Sequence, residues 1–192
     1  MAARRTGNAP RVGRATKRQR ASDRERQIDL IIREARIDDA AAILGVLNPI
    51  IESETTAFDA QLADADERAY IAGFPSRGVF HVALRSGDGL LVGFQSMEPF
   101  ATYSSLFDHV GVLGTYVDAA CRRRQVASRL FAATFTAARA KCYDKLFTYI
   151  RDDNPAALAA YAWQGFRVVG RAERHLKVDG RYVAEVIVER FL

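Results

Sequence analysis

The stretch LGTYVDAACRRRQVASRLFAATF, running from Leu113 to Phe135, reads as a strand, an arginine-rich turn and a helix. Leu113–Val117 is a compact β-prone run. Val126, Leu130 and Thr134, with Phe131 and Phe135 beside them, recur at the spacing that lines one face of a helix. Arg122, Arg123 and Arg124 stand directly ahead of the expected helix start near Gln125. A helix beginning there presents unpaired backbone N–H groups and the positive end of its dipole beside three guanidinium groups. That setting suits a polyanion such as a pyrophosphate.

Outward from this unit the chain alternates strands and helices. On the N-terminal side, Ile28–Arg36 reads as a first strand. Asp38 is expected to cap a helix carrying Ile43, Val46 and Leu47, because a carboxylate accepts from the free N–H groups of a first turn. Asn48-Pro49 ends or bends that helix, Ile50–Phe58 reads as a polar loop, and Leu62–Phe74 has the period of a second helix. A turn at Pro75–Gly78 precedes a strand at Val79–Arg85, and Gly87-Asp88-Gly89 is a hairpin turn into a strand from Leu90 to about Met97. Glu98–Asp108 is looser, and His109–Val117 is the strand that enters the arginine turn.

On the C-terminal side, Lys145–Arg151 reads as a strand, and Asn154-Pro155 starts a helix with Asn as cap and Pro at the first helical position. That helix stops at Gly165. Phe166–Lys177 and Arg181–Phe191 follow as two strands joined at Asp179-Gly180, a hairpin signal. There is no internal repeat.

The 192 residues suit one domain with a tail, and 49% hydrophobic residues supply a core. No apolar run approaches the roughly 18–20 residues that cross a membrane, and no apolar segment follows the N-terminal charges. The expectation is a soluble, unsecreted, cytoplasmic protein. Cys121 and Cys142 are too few for a disulfide framework and stand in no metal-ligand spacing, so no metal is expected. Cys121, in the turn, is the candidate reactive thiol. Residues 1–28 carry nine Lys or Arg against Asp23 and Glu25, a net +7, which leaves residues 29–192 at −2 within the chain's +5. The basic tail lacks the apolar residues to fold alone. Nucleic-acid contact through the tail, organelle transit and a plain extension are open readings of it.

The segment Arg122–Ala127 resembles the acyl-CoA motif of the GNAT superfamily of N-acetyltransferases: Gln or Arg, two residues, Gly, one residue, then Gly or Ala. Arg122 takes the first place, Gln125 that of the first glycine, and Ala127 the last. Gln125 departs from the pattern, since a glycine takes φ > 0 at no cost and lets the backbone approach a phosphate. A second segment, NPAALAAYAWQGFRVVGR (Asn154–Arg171), is similar to the family's Asn-x-x-Ala-x-x-x-Tyr-x-x-x-Gly-Phe, with Asn154, Ala157, Tyr161, Gly165 and Phe166 in place. IREARIDDAAAI (Ile32–Ile43), Asn48-Pro49 and Glu54–Phe58 resemble the branch of phosphinothricin N-acetyltransferases and related L-amino acid N-acyltransferases. The resemblance spans about residues 30–192.

The resemblance implies an α/β fold, a mixed central sheet flanked by helices, with acetyl-CoA as co-substrate and the primary amine of a small amino acid or analogue as acceptor. Acetylation of a protein or peptide amine is an alternative, as is a non-catalytic CoA- or nucleic-acid-binding module. By the same likeness, backbone groups of Thr115, Tyr116 and Val117 meet the pantetheine and the thioester. Arg122, Arg123, Arg124, Gln125, Val126, Ala127 and Ser128 take the phosphates, Asn154 reaches the cofactor, and Tyr161 protonates the departing thiolate. The branch carries a carboxylate on the fourth strand where this chain has Val112 and Leu113. Glu98, Asp108 and His109 are the nearby candidates for general base, acting through a water. Thr55, Thr56 and Phe58 are expected to shape the acceptor pocket. A homodimer follows by family analogy. His81 reads as structural, His175 as lying on the polar face of a late strand, and Trp163 with Phe166 as packing the helix end against the sheet.

Overall fold

The computed structural model describes residues 28–53, 56–58 and 60–192. Seven strands share one mixed sheet: β1 (Leu30–Glu34), β2 (Val79–Arg85), β3 (Leu91–Pro99), β4 (Val110–Val117), β5 (Lys145–Arg151), β6 (Arg167–Val178) and β7 (Arg181–Phe191), in the spatial order β1-β2-β3-β4-β5-β7-β6. Among the described residues four α-helices accompany them: α1 (Ala40–Glu52), α2 (Asp64–Ala72), α3 (Val126–Ala140) and α4 (Pro155–Trp163).

Successive strand residues point to opposite faces, and the two faces build separate cores. Phe80, Val82 and Phe94 pack with Ile43, Val46 and Leu47 of α1. Val79, Met97, Leu113, Leu146, Ile150 and Val186 pack on the other face with Phe131 and Phe135 of α3 and Tyr161 of α4. Helices therefore cover both faces of the sheet, as the resemblance implies. Among the described residues, no helix is long and apolar enough to cross a membrane.

Several local expectations are corrected. Asp38 does not cap α1; its side chain is 97% exposed. Asp39 instead ends a short 3-10 turn, accepts the Arg36 N–H at 2.8 Å and takes both terminal nitrogens of Arg33 at 2.7 Å. The Arg33 guanidinium holds the Asp39 carboxyl below its usual range. Pro49 does not end α1. The helix continues to Glu52, because Ile50 and Ile51 are buried against the sheet and their burial outweighs the one backbone bond that proline removes. The polar loop thus starts at Ser53, and Glu54, Thr55 and the basic tail up to residue 27 lie outside the described residues. At the other end, Asp179 and Gly180 take φ of 47° and 78° in the β6–β7 turn, and Gly165 takes φ of 81° after α4.

Candidate active site

Strand β4 pairs with β3 from Gly111 to Val117, but with its parallel neighbour β5 only from Val110 to Val112. Beyond that point the two strands part. The gap opens into a cleft of about 1100 Å³, walled by Gly114–Val117 on one side and Thr148–Arg151 on the other. Three regions follow along it: an arginine-rich end, a middle at Tyr161, and an end under the α1–α2 loop.

At the arginine-rich end the chain turns from β4 into α3. Arg123 and Gln125 hold φ of 59° and 66°, the left-handed conformation that glycine takes most cheaply. Gln125 thus supplies the backbone shape expected of a glycine while keeping its side chain. Among the described residues no side chain caps α3, and its first turn lines the cleft beside Arg122 and Arg123. Val126, Ala127 and Ser128 line the same wall, and Gln164 donates to Ser128 Oγ at 3.1 Å, tying the end of α4 to the start of α3.

In the middle, Asn154 caps α4 by accepting the Ala157 N–H at 3.0 Å, and one face of that helix carries Tyr161 into the sheet. Its ring meets Phe131 and Phe166 edge-on, at 5.1 and 5.0 Å. Its hydroxyl lies 3.1 Å from Thr115 Oγ1 on β4. Gln95, fully buried on β3, donates its Nε2 to the same Thr115 oxygen at 2.6 Å, while its Oε1 has no partner among the described residues. Burial pushes the Tyr161 hydroxyl well above the usual tyrosine range, so it is protonated at neutral pH. Tyr116, stacked on Phe94 at 4.8 Å, is pushed up to about 12 by the same cause.

At the third end, Ile50, Thr56, Ala57, Phe58, Tyr149, Arg151 and Glu185 line the cleft. Arg151, 8% exposed, bonds both Asp153 oxygens at 2.9 and 2.7 Å and the Thr56 carbonyl at 3.1 Å. It thereby fastens the α1–α2 loop to the end of β5.

The sequence matches the model of the acetyltransferase (GNAT) family over residues 47–166. The chain belongs to that family. Acetyl-CoA is accordingly its acyl donor and N-acetyl transfer its reaction. The GNAT fold extends to solved structures of low identity. A GNAT superfamily phosphinothricin acetyltransferase from Sinorhizobium meliloti, in complex with acetyl-CoA, aligns at 16% identity over 85% of this chain and 88% of that one, TM-score 0.78. A ribosomal-protein-alanine N-acetyltransferase from Brucella melitensis aligns at 24% identity over 84% and 99%, TM-score 0.76. A GCN5-related N-acetyltransferase from Kribbella flavida aligns at 26% identity over 85% and 98%, TM-score 0.74. No curated protein matches the sequence.

On this GNAT frame the structure gathers Thr115, Tyr116, Val117, Arg122, Arg123, Gln125, Val126, Ala127, Ser128, Asn154, Tyr161, Thr56 and Phe58 around one cleft. The uncapped amides of α3, the left-handed Gln125 and the two arginines fit the diphosphate of a CoA thioester. Arg124 is exposed and is not part of the lining. Thr55 lies outside the described residues.

Glu98 and His109, expected as proton acceptors, stand outside the cleft lining. Glu98 sits on β3 opposite Val112 and accepts the Tyr70 hydroxyl at 2.6 Å. His109 is exposed just before β4, and its carbonyl accepts from Asp144 and Lys145. Asp108 pairs with Arg77 at 2.9 Å. Trp163 does not pack against the sheet. It is 84% exposed at the cleft edge, because Tyr161 and Phe166 already fill the inward positions. Cys121 is 5% exposed within an apolar cluster, whereas Cys142 is exposed. His81 is buried with Nδ1 3.1 Å from Thr134 Oγ1, a structural role.

Gln95, Arg151 and Glu185 escaped sequence reasoning. The signal was present for each: a polar side chain interrupts an otherwise apolar strand, in LVGFQSM, FTYIR and VAEVIV. Such residues are buried for a partner, and the sequence does not say which.

Proposed function

We propose that this enzyme acetylates the primary amine of a small amino acid or a close analogue. The observation that carries this is the Tyr161 hydroxyl, held by Thr115 inside the β4–β5 gap, between an anion-binding turn and the end lined by Thr56 and Phe58. The Arg151 bond to the Thr56 carbonyl supports a small acceptor, since it ties Thr56 to the end of β5 beside the cleft.

Bound acetyl-CoA supplies the activated acyl group. The chain's own residues do the rest. Arg122, Arg123 and the first-turn amides of α3 hold the phosphates, and the unpaired edge of β4 from Leu113 to Val117 offers backbone groups to the arm that enters the gap. With Gln95 donating to Thr115, the Thr115 proton is free to go to Tyr161 Oη. That leaves the Tyr161 proton for the departing thiolate. Val112 and Leu113 move no proton, and Glu98 and His109 lie off the cleft, so neither of those two takes the acceptor ammonium's proton directly. The same reading takes the enzyme as cytoplasmic and homodimeric by family analogy, and light scattering on the purified chain reads the second point directly.

The test is calorimetric titration of the full chain with acetyl-CoA, with Arg122→Ala alongside, followed by thiol release over the free L-amino acids. Micromolar binding weakened by the arginine change, with turnover of at least one amino acid, is the expected result. No binding up to millimolar acetyl-CoA overturns the reading.

A further inference from the structure

Glu185 is a carboxylate that the fold buries without giving it a strong base. It lies on β7 opposite Arg151 of β5 and Ala172 of β6, with its side chain 9% exposed. The guanidinium of Arg151, its cross-strand neighbour, is directed to Asp153 and to the Thr56 carbonyl. Among the described residues, its one ion-pair partner is His175 Nε2 at 3.6 Å, longer than a hydrogen bond. The His175 ring lies flat over Tyr149, 11° from parallel with centroids 6.4 Å apart. Burying a carboxylate away from water is costly unless a cation meets it. Glu185 nevertheless forms part of the cleft wall, beside Tyr149, Thr56 and Phe58.

The cleft is therefore polarised along its length. Arg122 and Arg123 stand at one end, where an anionic donor enters, and Glu185 at the other, beside an Arg151 guanidinium that is bonded to Asp153 and the Thr56 carbonyl. We propose that Glu185 is the seat of the acceptor's ammonium group. This rests on the amine-acceptor reading above and adds a class to it: the preferred acceptor enters as a primary alkylammonium, ahead of hydroxyl compounds or weakly basic aryl amines of the same size. Phe58 and Tyr149, both partly exposed, provide apolar walls for the carbon attached to that ammonium.

The experiment pairs Glu185→Gln, which keeps the shape and removes the charge, with His175→Gln. Thiol release is measured over the free L-amino acids and a set of simple alkylamines, with acetyl-CoA affinity measured on each variant. Removing a charge-assisted contact is expected to raise the acceptor KM about 10- to 100-fold in Glu185→Gln, with acetyl-CoA affinity unchanged. His175→Gln is expected to shift the acceptor KM less than about threefold, since its 3.6 Å separation is not a hydrogen bond. An unchanged acceptor KM in an active Glu185→Gln enzyme removes the seat alone, and so does a His175→Gln loss equal to that of Glu185→Gln. If the native enzyme binds acetyl-CoA yet turns over none of the amines, the small-amine reading falls and the seat with it. Should Glu185→Gln fail to fold, the native enzyme still decides: propylammonium is expected to compete with the acceptor where butanol does not, and equal competition by both overturns the proposal.

Discussion

Thr115 of β4 and Tyr161 of α4 meet hydroxyl to hydroxyl at 3.1 Å, and the Thr115 oxygen also accepts Gln95 Nε2 at 2.6 Å. The three side chains come from two neighbouring strands and a helix, and the direction of their hydrogen bonds decides whether Tyr161 has a proton to give. If Tyr161 is the acid, Tyr161→Phe lowers kcat by about 10²- to 10⁴-fold with little change in acetyl-CoA affinity. Thr115→Val lowers kcat in the native background but has no further effect once Tyr161 is Phe. An equal loss in both backgrounds would mean that Thr115 acts through packing and not through Tyr161.

Gln125 holds φ of 66° at the start of α3. A left-handed residue with a Cβ carries about 1–2 kcal/mol of steric cost, partly offset by the greater freedom glycine has when unfolded. Gln125→Gly is therefore expected to stabilise the protein by about 0.5–1 kcal/mol, a rise of roughly 1–4 °C in melting temperature. Thermal unfolding checks it. A lower melting temperature would show that the Gln125 side chain makes a contact worth more than the strain.

Trp163 is the one tryptophan in the chain and stands at the cleft edge, 84% exposed. Its fluorescence is expected to change saturably on titration with acetyl-CoA, giving the same affinity as calorimetry. The Arg122→Ala change shifts both curves together. A flat fluorescence signal across a calorimetric transition would place the bound donor away from the α4 end of the cleft.

His81 is buried on β2, and loss of solvation lowers its pKa; Glu34 on β1 pulls the other way and Lys141, just past α3, adds to the lowering. A histidine whose folded pKa lies below its unfolded value of about 6.5 binds fewer protons folded than unfolded in the window between them. Its contribution is thus complete above about pH 6.5 and is lost as pH falls toward the folded pKa. Denaturant unfolding from pH 7.5 to pH 5 is expected to show declining stability, and His81→Gln to flatten that decline. An unaltered slope in the variant would assign the acid loss to other groups.

Much of the frame was legible because its signals are local. Val79–Arg85 and Lys145–Arg151 are apolar runs with plain boundaries and stand as strands over those bounds. Asn154-Pro155 caps a helix and Asp179-Gly180 turns a hairpin, because each depends only on the backbone preferences of the residues named. The choice of Asp39 over Asp38 was not legible, since it hangs on Arg33 reaching across from β1. The passage of α1 through Pro49 likewise depends on a sheet that buries Ile50 and Ile51.

The order of elements, the arginine turn ahead of α3 and the two motifs that carry Arg122, Asn154 and Tyr161 are written in the chain itself. These follow from residue types at fixed short spacings, where each residue's own chemistry decides. It took the folded chain to part β4 from β5 after Val112, to set Gln95 and Thr115 behind Tyr161, and to bring Glu185 to the cleft while Glu98 goes to Tyr70. Those outcomes depend on strand register and on partners far apart in the chain. A polar residue in an apolar strand shows that a partner exists, and only packing shows which.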